Sequence, residues 1–240
     1  MTWQKQVGLL VRRFGFDLQR YNPRIGTPVE RRIKLMKHHG VNVLFDVGAN
    51  TGQYARGMRN RGMGGRIVSF EPLSSAFAAL ESSARSDDAW VVMNCALGDR
   101  DGEGEINIAG NSQSSSLLEM LPAHLDRTPR AKTIGTESIK IRRLDSLMPE
   151  LLKSADRPFL KVDAQGYERA VIAGAGARIA DFVGVQLEVA LVPLYAGETL
   201  LAPMILHMES LGFVLMSLEP GFCDTETGQL LQTDCVFFRQ

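Results

Sequence analysis

Short apolar runs, regularly spaced and separated by helix-patterned stretches, constrain the fold of this chain more than any other feature. The runs are "VNVLFDV" (41–47), "GRIVSF" (65–70), "AWVVMN" (89–94), "PFLKVD" (158–163), "FVGVQLEV" (182–189) and "FVLMSL" (213–218). Each is too short for a helix and too continuously apolar for a strand with one wet face, so they read as strands covered on both sides. Helical patterns fall between most of them. One spans Gln53–Arg61; another is N-capped by Ser74, with Phe77, Leu80 and Ala84 on one face. Two more span Gly166–Ala173 and Glu198–Leu211, the latter with Pro203 near its first turn. This alternation predicts an α/β fold with a doubly wound, mostly parallel sheet.

Two departures from the alternation carry information. Residues 100–145 hold strand-like "GEINIAG" (104–110) and "ESIKIRRL" (137–144) around the polar loop "NSQSSSL". That is an insertion, and insertions at the carboxyl edge of such sheets build substrate regions. The chain then ends in a hairpin: "FVLMSL", a Gly/Asp/Thr loop (220–229) and "TDCVFFRQ". A strand reached by so short a loop is antiparallel. A mostly parallel sheet closed by an antiparallel C-terminal hairpin strand is a class I methyltransferase-like layout. The expected organisation is a basic helical cap over residues 1–40 and one catalytic domain over 41–240.

Composition excludes other classes. With 240 residues, 45% hydrophobic and 22% charged, the chain suits one large soluble domain. No apolar run approaches the ~20 residues of a membrane span. "VGLLV" is cut off by Arg12 and Arg13, so no secretory core is expected and the protein reads as cytoplasmic. Cys95, Cys223 and Cys235 form no CxxC pair, which argues against a zinc site or a disulfide framework. The net charge of zero hides an asymmetry: residues 1–39 carry +7 and residues 40–240 carry −7. The basic segment reads as a solvated cap, or as a surface for an anionic membrane or charged acceptor. Nucleic acid is disfavoured, because Trp3, Phe14, Phe16 and Tyr21 are its only aromatic residues.

The chemistry concentrates at strand ends. In "FDVGANTG" the first strand runs into Asp46, Gly48, Asn50, Thr51 and Gly52. Gly48 suits a tight turn, Asn50 tolerates the left-handed conformation, and Gly52 lets a ligand lie close to the backbone. This D-x-G-x-N-x-G spacing differs from the dinucleotide G-x-G-x-x-G, and Asp46 would repel a pyrophosphate. It suits a cationic ligand, such as the ammonium or sulfonium of S-adenosylmethionine; an ordinary strand–helix turn is the plainer alternative. Glu71, closing the second strand before Pro72, stands where a ribose diol is bound. At the third strand end Asn94, Cys95 and Ala96 offer a small lining for adenine, with Cys95 as plain core the alternative. At the fourth, Asp163 emerges beside this donor site, and Glu188 reaches the same edge from the fifth. The two read as a general base and an orienting group, or as ligands to a hard cation, and the base is preferred. Lys161 inside an apolar strand implies a paired partner. Of four histidines, His124 is the reserve candidate for the base.

Taken in order, "FDVGANTG", "SFEP", "NCALGD", "RRLDSL", "LKVDAQGYERAVIAGA" and "VQLEV" resemble the FkbM-type methyltransferases over about Val41 to Arg239. That family's fourth-strand motif reads K-I-D-V-E-G; here Ala164 and Gln165 replace the V-E pair. The resemblance implies S-adenosylmethionine as cofactor and O-methylation of a hydroxyl on a sugar, glycolipid or polyketide-type product. The residues alone also allow a nicotinamide oxidoreductase or a catalytically silent domain that binds S-adenosylmethionine.

Overall fold

Alternate residues of the central strands feed two separate cores. In β1 (Val43–Val47), Val43, Phe45 and Val47 pack on one side of the sheet and Leu44 on the other. The same holds for β7 (Pro158–Val162), whose five residues are all buried. The computed structural model of the chain describes residues 3–15 and 26–240. Helices α1 (Trp3–Arg12) and α2 (Pro28–His38) precede β1, and the rest of the expected cap lies outside the described residues.

The main sheet has seven strands in the order β3-β2-β1-β7-β8-β10-β9. Here β2 is Arg66–Phe70, β3 Trp90–Met93, β8 Gly184–Ala190, β9 Phe213–Pro220 and β10 Gln232–Arg239. Strands β3, β2, β1, β7 and β8 run parallel, and β10 is antiparallel to both β8 and β9. The expected doubly wound sheet with its antiparallel C-terminal strand is what the chain forms. Helices α6 (Leu144–Leu151), α7 (Glu168–Ala175) and α8 (Leu201–Ser210) pack on one face through Leu147, Val171 and Met204. On the other face lie α2, α3 (Gln53–Asn60) and α4 (Ser74–Ala84), through Met36, Met58 and Leu80.

The insertion forms a small second sheet. Its strands are β4 (Ala96–Leu97), β5 (Gly102–Ala109) and β6 (Thr133–Arg142), in the order β4-β6-β5. A short helix, α5 (Pro122–Leu125), lies between β5 and β6. One capping expectation fails. Ser74 is the first residue inside α4, after Leu73 at the cap position, and the Ser74 N–H is taken by the Glu137 carboxylate at 2.9 Å. A side chain distant in sequence supplies the cap that a local serine was expected to supply.

The turn from β7 into α7 is closed by Glu168. Its Oε1 accepts the N–H groups of Ala164 (2.9 Å) and Gly166 (3.2 Å), and the residue is buried. Burial pushes its carboxyl up to about 8, although these N–H bonds pull the other way. The folded chain therefore keeps a proton that the unfolded chain releases near its usual value of 4.5. The resulting stability is complete below that value and is lost as pH rises to about 8. Glu168→Gln keeps the acceptor oxygen and removes the titration. Its unfolding free energy should fall less steeply than the wild type's between pH 5 and 8, by up to about 1.4 kcal/mol per unit. Denaturant unfolding at several pH values measures this.

Candidate active site

The turn after β1 is shaped first by the chain itself. Gly48, Asn50 and Gly52 all have left-handed φ, of 70°, 47° and 85°. A Cβ on Gly48 would stand 1.9 Å from the carbonyl oxygen of Asp163, so two strand ends meet there backbone to backbone. A Cβ on Gly52 would meet Trp90 at 2.8 Å and Leu80 at 3.0 Å. Gly52 thus serves packing of the turn on β3 and α4, and the expectation that it makes room for a ligand is corrected. The N–H groups of Gly48 and Ala49 both donate to the Phe70 carbonyl, tying the turn to the end of β2.

Glu71 completes that tie. Its Oε2 accepts the Asn50 N–H at 2.8 Å and its Oε1 the Leu73 N–H at 2.9 Å. Burial pushes its carboxyl up to about 7 despite these bonds. Each oxygen keeps a lone pair, and Glu71 borders a cavity of about 760 Å³. Pro72, Leu73, Cys95, Ala96, Leu97 and Ile106 line the same end of it. A carboxylate able to take further hydroxyl donors, beside an apolar slot, fits a nucleoside with a free ribose diol.

Several donor-site candidates lie elsewhere. Asp46 is fully buried behind the turn, outside the cavity wall, with Lys161 Nζ at 3.2 Å from its Oδ1. Its charge is used inside the protein, so direct contact with a cationic ligand is corrected to a structural role. Thr51 and Gly52 are also outside the wall; the Thr51 carbonyl accepts from Arg56 at 2.6 Å. Asn94 is exposed, and its amide braces the strand end by donating to the carbonyls of Glu71 and Pro72. Gly48, Asn50, Glu71, Pro72, Cys95 and Ala96 do line the cavity.

At the other end of the cavity, Asp163 and Glu188 come together as expected at the sheet edge. They are joined by Gln165, whose Nε2 donates to Asp163 Oδ1 and to Glu188 Oε2, each at 2.7 Å. Two carboxylates accept and do not donate, which requires the amide nitrogen on that side. Gln165 is itself held in the left-handed region (φ 52°). The Tyr195 hydroxyl lies 2.8 Å from Gln165 Oε1 and 2.9 Å from the Ser114 carbonyl, and Ser116 Oγ donates to the Gln165 carbonyl at 2.7 Å. The loop "NSQSSSL" is thereby anchored over the cavity. Asn50 Nδ2 reaches the same loop at Ser112 Oγ, 3.2 Å away.

Burial and the charge of Asp163 hold the Glu188 carboxyl well above the usual range. Burial disfavours a charged Lys161, but Asp46 and Asp163 outweigh it and keep the ammonium protonated. Lys161 Nζ is 3.6 Å from Asp163 Oδ2. His124 also borders the cavity; it is buried, lowered from its usual value by that burial, and edge-on to Tyr195.

Sequence reasoning missed most of this end of the cavity. Gln186 and Asp234 line it and are bonded to each other at 2.9 Å; Gln232 donates to Glu188 Oε2 at 3.1 Å. The signal was partial: residues two apart share a strand face, which sets Gln186 beside Glu188 in "VQLEV" and Gln232 beside Asp234 in "QTDCV". Arg32, Tyr54 and Glu219, which also border the cavity, had no local signal.

Residues 46–215 match the model of the methyltransferase FkbM domain, and the chain belongs to that family, with S-adenosylmethionine as its cofactor. The nicotinamide alternative is overturned by this match. No curated protein matches the chain. Among solved structures it is similar to the METTL16 methyltransferase domain, with 10% identity and a TM-score of 0.48 over 96% of this chain and 76% of that one. It is also similar to a precorrin-6y C5,15-methyltransferase from Geobacter metallireducens GS-15, with 13% identity and a TM-score of 0.43 over 87% of each chain. A third is Aeropyrum pernix fibrillarin with natively bound S-adenosyl-L-methionine, with 11% identity and a TM-score of 0.46 over 82% of this chain and 66% of that one.

Hydrogen bonds to a charged group contribute roughly 1.5–3 kcal/mol each. Glu71→Ala should therefore weaken S-adenosylmethionine binding by about one to three decades while the chain stays folded. Titration calorimetry checks this, and unchanged affinity would leave Glu71 with only its two backbone bonds as a role.

Proposed function

We propose that this chain transfers a methyl group to a hydroxyl of a sugar, glycolipid or polyketide-type product. The observation that carries the reading is the Asp163–Gln165–Glu188 arrangement at the end of the cavity away from Glu71. The cofactor supplies an electrophilic methyl group, and the chain's own task is to orient the acceptor, exclude water and take a proton. Asp163 accepts the hydroxyl proton as the oxygen gains its methyl. A free Asp, with a pKa of about 3.9, is a weak base for an alcohol, so the proton moves late, when the oxygen is already acidic. Gln165 fixes the direction of both carboxyl groups. Glu188, whose carboxyl burial holds above its usual range, orients the acceptor or a water.

Asp163→Asn should lower turnover by ~10²–10⁴, the usual share of a positioned proton transfer. Its affinity for S-adenosylmethionine should stay at the wild-type level. Gln165→Glu removes both amide donors and sets a third carboxylate beside the pair, so it should lower turnover with the same unchanged affinity. Tritium transfer from methyl-labelled S-adenosylmethionine to hydroxyl compounds, with calorimetry alongside, measures both. Full activity of Asp163→Asn would move the base to His124.

A second observation favours access to a lipid-borne acceptor. Trp3, Val7 and Leu10 fall on one face of α1 and are all exposed. The surrounding segment 1–39 carries +7. We propose that this helix makes peripheral contact with an anionic membrane. Deleting residues 1–24 should weaken binding to phosphatidylglycerol vesicles, and the wild-type binding should fall with added salt. Equal co-sedimentation of both forms would reduce the segment to a solvated cap.

A further inference from the structure

The strand register sets four carboxylates side by side on the floor of the acceptor half. Asp163 follows β7, where Val162 is level with Leu187, and so stands next to Glu188 of β8. Glu188 is directly opposite Asp234 of β10, and Asp234 is directly opposite Glu219 of β9. All four border the cavity. Like charges facing each other across strands repel, and burial raises the cost.

The compensation is incomplete. Among the described residues, the lysine and arginine side chains bordering this cavity are Lys161 and Arg32. Arg32 Nη1 is used by Glu219 Oε2 at 2.8 Å, and Lys161 is shared between Asp46 and Asp163. Neutral amides provide the rest, Gln165 and Gln232 to Glu188 and Gln186 to Asp234. Glu219 is 5% exposed, and its Oε1 is buried without a hydrogen-bond partner. Burial and the neighbouring acids push Glu188 and Asp234 above the usual carboxyl range. Tyr54 borders the same space under the Arg32 guanidinium, 5.2 Å from it, with its hydroxyl on Gln186 Oε1 at 2.7 Å.

This floor holds more carboxylates than cations, and beside the unpaired Glu219 Oε1 it leaves one Arg32 donor, Nε, without a partner. We propose that the acceptor enters with a neutral polyhydroxyl group, its hydroxyls donating to the Asp234–Glu219 end of the row, and that phosphorylated sugars are rejected by the same carboxylates. The inference rests on the hydroxyl-transfer reading above. Rejection by repulsion is an inexpensive route to specificity here, because the acids already exceed their partners and an anionic ligand would add to the excess. A polyol instead relieves it, since each hydroxyl brings a donor.

The probes are the methyl glycosides of glucose, galactose and mannose and their 6-phosphates. Binding to the full-length chain with S-adenosylmethionine present is read by saturation-transfer NMR and calorimetry. At least one neutral glycoside should bind about tenfold or more tighter than its phosphate, the scale expected when like charges are brought together. Asp234→Asn should narrow that preference. Glu219→Gln leaves Arg32 without its counter-charge and should strengthen binding of the phosphate, with S-adenosylmethionine affinity unchanged in both variants. Equal or tighter binding of the phosphates by the wild type overturns the inference, as does no binding of any neutral glycoside. So does a preference that neither variant alters. If the preference holds and no label passes to the bound glycosides, the acceptor inference stands and hydroxyl transfer is the reading that fails.

Discussion

The buried pair of Lys161 and Asp46, at the centre of the sheet, is the interaction on which the rest of the site depends. It joins β1 to β7 at the point where both strands end. Lys161 Nζ lies 3.2 Å from Asp46, 3.6 Å from Asp163 and 3.3 Å from the carbonyls of Val47 and Gly48. One cation therefore holds the donor turn and the fourth-strand carboxylate in a single frame. The close approach of Gly48 to the Asp163 carbonyl is possible because glycine carries no Cβ. A buried ion pair adds little net stability over apolar residues, yet removing one partner leaves the other charged and unpaired, at about 3–5 kcal/mol. The pair is better understood as a device for position than for stability.

From that frame the polar groups extend in two directions. Toward β2, the N–H groups of the turn and the Glu71 carboxylate interlock and open onto an apolar slot. Toward β8, β10 and β9, carboxylates and carboxamides alternate through hydrogen bonds, and Gln165 is the joint. Its strained left-handed backbone is held by Ser116 on its carbonyl and by the two carboxylates on its amide. Departing from the family's fourth-strand acid at this position does not empty the site. It exchanges a third negative charge for two donors, which is what two adjacent carboxylates require.

Much of this was legible in the chain. Continuous apolar runs and the hairpin at the end gave the sheet, because strands buried on both faces leave little choice of partner. That Glu71, Asp163 and Glu188 border one cavity could be read from the chain, because strand ends at the carboxyl edge of such a sheet all face one crevice. The errors share a cause. Asp46, Gly52 and Asn94 belong to the right stretches, but whether a side chain faces a ligand or its own protein depends on what packs behind it. Lys161, Trp90 and the carbonyls of Glu71 and Pro72, respectively, claimed them. Ser74 failed as a cap for the same reason, since Glu137 on β6 reached the helix end first.

What the sequence determined by itself is therefore the order and type of the elements, the tight turn after the first strand and the acids at the strand ends. These follow from local patterns: hydrophobic period, turn residues and the position of charge along a strand. Only the tertiary structure decided that Arg32 of α2 lies against Glu219 of β9, 187 residues away, with Tyr54 beneath it. The same is true of Gln165 meeting both Asp163 and Glu188. Such contacts depend on the register and twist of non-neighbouring segments, which no local pattern records, because the energy that selects them comes from burying the whole sheet at once.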